Sequence, residues 1–293
     1  MNVLRERRRM EERQVYSSLE ILDTATGKCT RLWEMDHLIE APNWTGDGRM
    51  LIYNAGGRIC TYDLETGRHG AIDSGFCTWC NNDHVLSPGG KSIAVSHHTA
   101  EDGQSRIYIV PLAGGHPTLI TPIAPSYLHG WSPDGSTLSY CAERNGEYDV
   151  YTIPAAGGEE TRLTDAPGLN DGPEYSPDGK HIWFNSVRSG LMQIYRMDQD
   201  GQNVMRMTEE ESNNWFPHVS PDGKWVVYIA YRKNDVAPGD HPANKNVELR
   251  IMPYDGGGSR LLVSLFGGQG TMNVNSWAPD SRNLAFVRYR LKG

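Results

Sequence analysis

Short runs of alternating apolar and polar residues recur along this chain, separated by clusters of Gly, Pro, Asp and Asn. Gln193-Ile194-Tyr195-Arg196-Met197 is one such run. Asp149-Val150-Tyr151-Thr152-Ile153 is another, at the same place in an earlier copy of the pattern. A period of two puts alternate side chains on one face, so each run reads as a half-buried β-strand. The clusters between runs carry turn chemistry: Pro presets φ, Asp bonds back to nearby amides, and Gly takes φ > 0.

One turn phrase is written six times. It reads Trp44-Thr45-Gly46-Asp47-Gly48, Leu86-Ser87-Pro88-Gly89-Gly90, Trp131-Ser132-Pro133-Asp134-Gly135, Tyr175-Ser176-Pro177-Asp178-Gly179, Val219-Ser220-Pro221-Asp222-Gly223 and Trp277-Ala278-Pro279-Asp280-Ser281. Its fourth position returns after 42, 45, 44, 44 and 58 residues. A unit of about 44 residues fits four strands and their turns. In the fourth unit these strands are Pro173–Tyr175, His181–Asn185, Gln193–Met197 and Val204–Thr208. A four-stranded meander leaves two apolar faces, and radial stacking of such sheets covers both, which makes a β-propeller.

The chain ends complete each other. After the last phrase, Asn283–Val287 is a strand with no outer partners before the chain stops. Ser18–Asp23, the Thr26-Gly27 turn and Cys29–Trp33 read as the missing third and fourth strands. The expectation is an all-β, six-bladed propeller of four antiparallel strands per blade over residues 15–293. Its sixth blade is shared between 15–36 and 268–293, and residues 1–14 form a charged tail.

The repeated Ser-Pro-Asp-Gly, followed by an aromatic-rich strand and an Ile-Tyr strand such as Ile194-Tyr195, resembles the TolB-like family of six-bladed propellers. The resemblance covers roughly residues 15–293 and implies the same ring. In TolB itself that ring follows an α/β domain and a periplasmic leader, and it binds a lipoprotein and colicins. Neither leader nor α/β domain is visible here, so the expected compartment is the cytoplasm, or the periplasm if a leader has been removed. A similar propeller precedes the hydrolase domain of prolyl oligopeptidase-like enzymes, but this chain has no Gly-x-Ser-x-Gly elbow.

A net charge of −8 argues against a nucleic-acid partner, which requires a basic face. The arginines of residues 5–9 are interleaved with glutamates and read as a solvated segment. No apolar run approaches the roughly 20 residues that span a bilayer, so no membrane insertion is expected. Five cysteines do not make a disulfide framework, and the Cys77/Cys80 pair lacks a second pair to complete a zinc set. These two read as small core residues. No cofactor is expected.

Candidate chemistry lies where the innermost strands enter the ring. Seven positions before the fourth residue of each phrase stand Glu40, Asn82, Tyr127, Asp171, Trp215 and Asn273. His84, His129, His218 and Asn275 stand within three residues of this column. Amides and acids beside flat rings suit a peptide or sugar, because rings stack on apolar faces while amides bond polar groups. A wet, polar channel without a ligand would show the same residues. His84, His129 and His218 are an alternative metal set, set against histidines that support loops. His97 and His98 read as a solvated hairpin tip.

The long fifth interval holds about 14 extra residues between Tyr231 and Asn246, polar and rich in Pro and Gly. It reads either as a drifting surface loop or as a loop that folds over the mouth or meets a partner, with His241, Asn244 and Lys245 at its tip. The first functional reading is a non-catalytic recognition scaffold that binds a protein, peptide or carbohydrate-like small polar ligand at the channel mouth. The alternative is a metal-dependent lyase or hydrolase acting on a sugar through channel histidines and acids.

Overall fold

The computed structural model describes residues 14–293. The expected tail, residues 1–14, falls almost wholly outside the described residues. Five four-stranded antiparallel sheets and one three-stranded sheet form the six blades of a propeller. The first blade is Ile39–Trp44, Met50–Ala55, Arg58–Asp63 and His69–Ala71, and the fourth is Asn170–Tyr175, His181–Ser186, Gln193–Asp198 and Met205–Arg206. The only helical turn among the described residues is a 3-10 turn at Gln269–Thr271. No described helix is long and apolar enough to cross a membrane.

The core lies between blades. Trp183, Val226 and Tyr228 share one buried cluster, which joins the fourth blade to the fifth. Leu128, Leu138 and Tyr140 meet Ala94 and Ile107, which joins the third to the second. Indoles of the turn phrase add directed ties: Trp131 Nε1 donates to the Val85 carbonyl and Trp277 Nε1 to the His218 carbonyl, each at 3.0 Å. Cys77 and Cys80 are fully buried in one hydrophobic cluster with Ile93 and Val95.

In the third, fourth and fifth phrases the turn locks itself. Ser132, Ser176 and Ser220 donate their hydroxyls to Asp134, Asp178 and Asp222 at 2.5–2.7 Å. The same carboxylates accept the amides of Ser136, Lys180 and Lys224. Gly135 and Gly179 follow at φ 73°, a conformation that other residues adopt at a cost.

The ring closes as its sequence implies. Val15–Asp23 pairs antiparallel with Asn283–Leu291 along its whole length, from Val15 opposite Leu291 to Asp23 opposite Asn283. Cys29–Met35 pairs on its other side. A single bridge, Trp277 to Leu284, stands where the inner strand of this blade would run.

The outer strands of the third and fourth blades are shorter than the pattern predicts. Val204–Thr208 pairs only over Met205–Arg206, and Thr161–Thr164 only over Thr161–Arg162. A threonine takes over where the ladder stops. The amides of Ile107, Val150 and Ile194 donate to the hydroxyls of Thr121, Thr164 and Thr208 at 2.8–2.9 Å. The side chain satisfies the donor that a longer strand would have paired.

Candidate functional site

Each inner strand runs from one face of the ring to its turn phrase on the other. The entry face therefore gathers the starts of the inner strands, the links between blades and the hairpins joining second to third strands. Together they enclose a cavity of about 1060 Å³.

The inner strands are bulged at this face. Pairing register shifts between Glu40 and Asn43, Cys80 and His84, Leu128 and Gly130, Asp171 and Glu174, and Trp215 and His218. Ala41, Gly172 and Phe216, at equivalent positions, have φ of 53°, 64° and 55°. A bulge adds a residue and re-aims the side chains around it. In the fifth blade it turns Trp215 into the core and brings Phe216 to the cavity wall.

The cavity floor is charged and almost fully buried. His129 Nε2 lies 3.0 Å from Asp171 Oδ1, with the two side chains only 6% and 11% exposed. His241 Nε2 approaches the other oxygen at 3.9 Å. Burial by itself lowers the His129 pKa, but the charges of Asp171, Asp83 and Glu174 and the Asp171 hydrogen bond outweigh it and hold the imidazole above its ordinary value. Burial likewise works to raise Asp171, but the His129 charge and hydrogen bond, with His241 and the Gly172 amide, hold it down at about 2. The pair therefore favours the imidazolium–carboxylate form, each partner stabilising the charged state of the other. His241 is pulled the other way: burial lowers it against the opposing charge of Asp171.

A second carboxylate, Asp83, is buried beside it. Asp83 accepts Asn273 Nδ2 on one oxygen and Asn81 Nδ2 on the other, at 2.5 and 2.6 Å. Burial pushes its pKa up against the nearby His129 charge. Cys141 also lines the cavity, and burial with the neighbouring Asp171 charge holds its thiol well above the usual range. A thiol so disfavoured as thiolate is not a nucleophile at neutral pH.

Rings of Trp79, Tyr127, Tyr148 and Phe216 form the walls, with Phe216 stacked on His129 at 5.8 Å. The long loop between Trp225–Arg232 and Lys245–Pro253 folds over the opening. His241 sits edge-on to Trp215 at 4.2 Å, and Gly239, Ala243 and Asn244 line the cavity beside it. Tyr231 donates its hydroxyl to the Pro242 carbonyl at 3.1 Å, and the backbone of Pro242 and Ala243 packs directly on Gly268.

Of the residues that the sequence singles out, Glu40, Asn82, Tyr127, His129, Asp171, Asn273, His241 and Asn244 line this cavity. The others sit elsewhere. Trp215 is a core residue, and His84 is fully buried, where burial lowers its pKa to about 4. His218 bonds Glu174 through Nδ1 at 2.6 Å, and Asn275 donates to the same carboxylate at 2.7 Å, so both tie blades together. Lys245 Nζ donates outward to the Asp235 carbonyl. His84, His129 and His218 thus have three different surroundings, and no described group of three His, Cys, Asp or Glu side chains is placed to hold a metal ion.

Asn81, Asp83, Trp79, Phe216 and Tyr148 line the cavity without having been singled out. The first four lie in the inner-strand segments, but counting back from the turn assumes an unbroken alternation that the bulge removes. His97 is buried at 6% exposure, while His98 is half-buried and lines the cavity with its ring 5.0 Å from Trp79.

Comparison with known proteins agrees with this architecture. The TolB beta propeller domain matches residues 122–240. The uncharacterized protein Atu1656 of Agrobacterium fabrum is 46% identical over 93% of this chain and 92% of its own length. A solved TolB-like structure from Agrobacterium tumefaciens superposes with a TM-score of 0.91 at 46% identity, over 95% of this chain and 99% of that one. The TolB of Acinetobacter baumannii shares the fold, with a TM-score of 0.66 at 23% identity over 82% of this chain and 61% of that one. The Tol-Pal system protein TolB of Francisella tularensis is 35% identical over 86 residues, 28% of this chain and 19% of that protein. An oligogalacturonate lyase in complex with manganese also shares the fold, with a TM-score of 0.56 at 17% identity over 84% of this chain and 72% of that one. With a relative matched along nearly its whole length and a TolB propeller match inside the ring, the chain belongs to the TolB-like six-bladed β-propeller family.

Proposed function

We propose that this protein is a recognition scaffold that takes a polar segment of a peptide or protein into the cavity on the entry face. One observation carries the reading: a cavity of about 1060 Å³ with carboxylates and amides on its floor and aromatic rings on its walls. Aromatic faces accept apolar groups, and the polar floor fixes orientation. The Francisella relatives named for the Tol-Pal system give the reading its setting, a protein that works with others.

A sugar-active enzyme is the second reading, favoured by the His129–Asp171 pair facing the cavity. Two features weigh against it. His129 already engages Asp171 through Nε2, so that nitrogen is not open to take a proton from a substrate. The carboxylates Glu40, Asp83 and Asp171, with no Lys or Arg among the described lining residues, repel an acidic sugar.

Affinity purification from the protein's own cells, with mass spectrometry of the co-purifying proteins, tests the scaffold reading. A partner retained by the wild type and by Trp225→Ala on the turn face, but lost with Tyr127→Ala, supports it. Identical capture by all three proteins overturns it. Stoichiometric metal in the purified protein, lost on His129→Ala, would favour the enzyme instead.

A further inference from the structure

We propose that the loop over the mouth, residues 233–244, is a lid that acid releases, with His241 as its latch. The inference rests on the recognition reading above and adds regulation to the same cavity.

The loop joins Trp225–Arg232 to Lys245–Pro253 and belongs to no strand ladder. Neutral hydrogen bonds tie it to the ring: Tyr231 donates to the Pro242 carbonyl at 3.1 Å, and Asn213 Nδ2 to the Val236 carbonyl at 3.4 Å. Lys233 at its start pairs with Glu211 at 3.0 Å, but both side chains are exposed, and such pairs hold weakly. His241 is the loop side chain that reaches toward the charged floor. Its ring stands 4.2 Å from Trp215 and 5.3 Å from Phe216, two fully buried rings. Its Nε2 stops 3.9 Å from Asp171 Oδ2, beyond hydrogen-bond reach. The imidazole is therefore seated as an aromatic plug.

A proton on that ring is poorly received. The charged groups facing it are Asp171 from the fourth blade, Asp83 from the second and His129 from the third, while the fifth blade offers only the two rings. Asp171 has already committed Oδ1 to His129 and to the Gly172 amide, at 3.0 and 2.7 Å. A charged His241 would share that carboxylate with a partner of like sign, and would lose water on entering its slot. Burial outweighs the attraction of Asp171 and lowers the His241 pKa below its ordinary 6.5. A loop swung outward returns the imidazole to that ordinary value. Closure is thus complete above 6.5 and weakens as pH falls through the seated value. Asp171, held at about 2, stays ionised throughout. Asp83 and His129 are both raised and can titrate nearby, so the decisive variant removes the His241 imidazole alone.

The test is hydrogen–deuterium exchange of the full chain, read by mass spectrometry at about pH 7.5 and about pH 5.5 and corrected for the intrinsic pH dependence of exchange. In the wild type, exchange across 233–244 is expected to rise about fivefold at the lower pH, while Gln193–Asp198 of the fourth blade holds steady. His241→Phe keeps a ring in the slot and takes no proton, so its loop is expected to exchange alike at both pH values. Should that variant fail to fold, His241→Leu carries the same expectation, and NMR titration of the wild-type imidazole gives a reading without any variant. Equal protection of the wild-type loop at both pH values overturns the latch. So does an acid response that the reference strand shares, one that survives in the variants, or a His241 imidazole that titrates at or above 6.5. These outcomes read the loop alone and leave recognition at the cavity standing. Recognition fails separately, on identical capture by the wild type and Tyr127→Ala.

Discussion

His129 Nε2 and Asp171 Oδ1, on the inner strands of neighbouring blades, stand 3.0 Å apart on the cavity floor. The pair is one coupled unit, with each partner sustaining the charge of the other.

The two shifts set the pH dependence of the pair. The folded pKa of His129 lies above its ordinary 6.5, so its contribution is complete below about 6.5 and is lost as pH rises through the folded value. The folded pKa of Asp171, about 2 against an ordinary 3.8, makes its contribution present above 3.8 and lost as pH falls toward 2. Asp171→Asn leaves a buried imidazole without its counter-ion. The expected result is a His129 pKa below 6.5 by NMR titration and a loss of about 3 kcal/mol in denaturant unfolding. An unchanged imidazole titration contradicts the ion pair.

The loop over the mouth is seated on Gly268. This residue has φ 134°, and a Cβ there would meet the Pro242 carbonyl and the Ala243 backbone. Gly268→Ala is expected to cost about 2 kcal/mol and to expose 233–244 to limited proteolysis. Gly239→Ala, whose Cβ would enter open space, is the control and is expected to change neither.

Ring closure depends on the first strands of the fold. Val15–Asp23 joins Asn283–Leu291 through a full ladder, Arg288 Nε bonds Glu20 at 3.0 Å, and Arg282 bonds Asp23 at 2.7 Å. Deleting residues 1–36 strips Asn283–Leu291 of its ladder partner, exposes that edge and uncovers the sixth-blade core. Aggregation or an unfolded chain is expected. A cooperative melt near the wild-type temperature would contradict this account of closure.

The turn phrases give the protein an acid limit. Hydrogen bonds from Ser132 and from the amide and hydroxyl of Ser136 lower Asp134 to about 2, and those from Ser176 and Lys180 lower Asp178. Depressed pKa values mean that this stabilisation is present above 3.8 and disappears as pH falls through the folded values. The melting temperature is expected to drop between about pH 4 and pH 2, and less steeply in the Asp134→Asn/Asp178→Asn double variant.

The ring was legible because its signals are local and repeated. Pro, Asp and Gly at fixed places in the phrase force a turn, and alternation marks the strands beside it. The outer strands were overestimated because a threonine hydroxyl ends each ladder, and threonine also suits a continuing strand. The site was harder to read. Bulges at Ala41, Gly172 and Phe216 break the alternation where the cavity is built, so counting from the turn selected Trp215 and passed over Phe216 and Asp83. His84 and His218 have the composition of site residues, but neighbouring blades bury them, and such packing leaves no mark in one strand's pattern. The loop showed its place through excess length, while its seat on Gly268 depends on a residue more than 20 positions away.

The central claim is that ligands enter on the cavity face and not on the face of the turn phrases. The most direct measurement is site-specific photo-crosslinking in the protein's own cells, with benzoylphenylalanine at Tyr127 in one protein and at Trp225 in another. The account expects a discrete adduct from position 127 and none from position 225. Adducts from position 225 alone, or the same adducts from both, would contradict it.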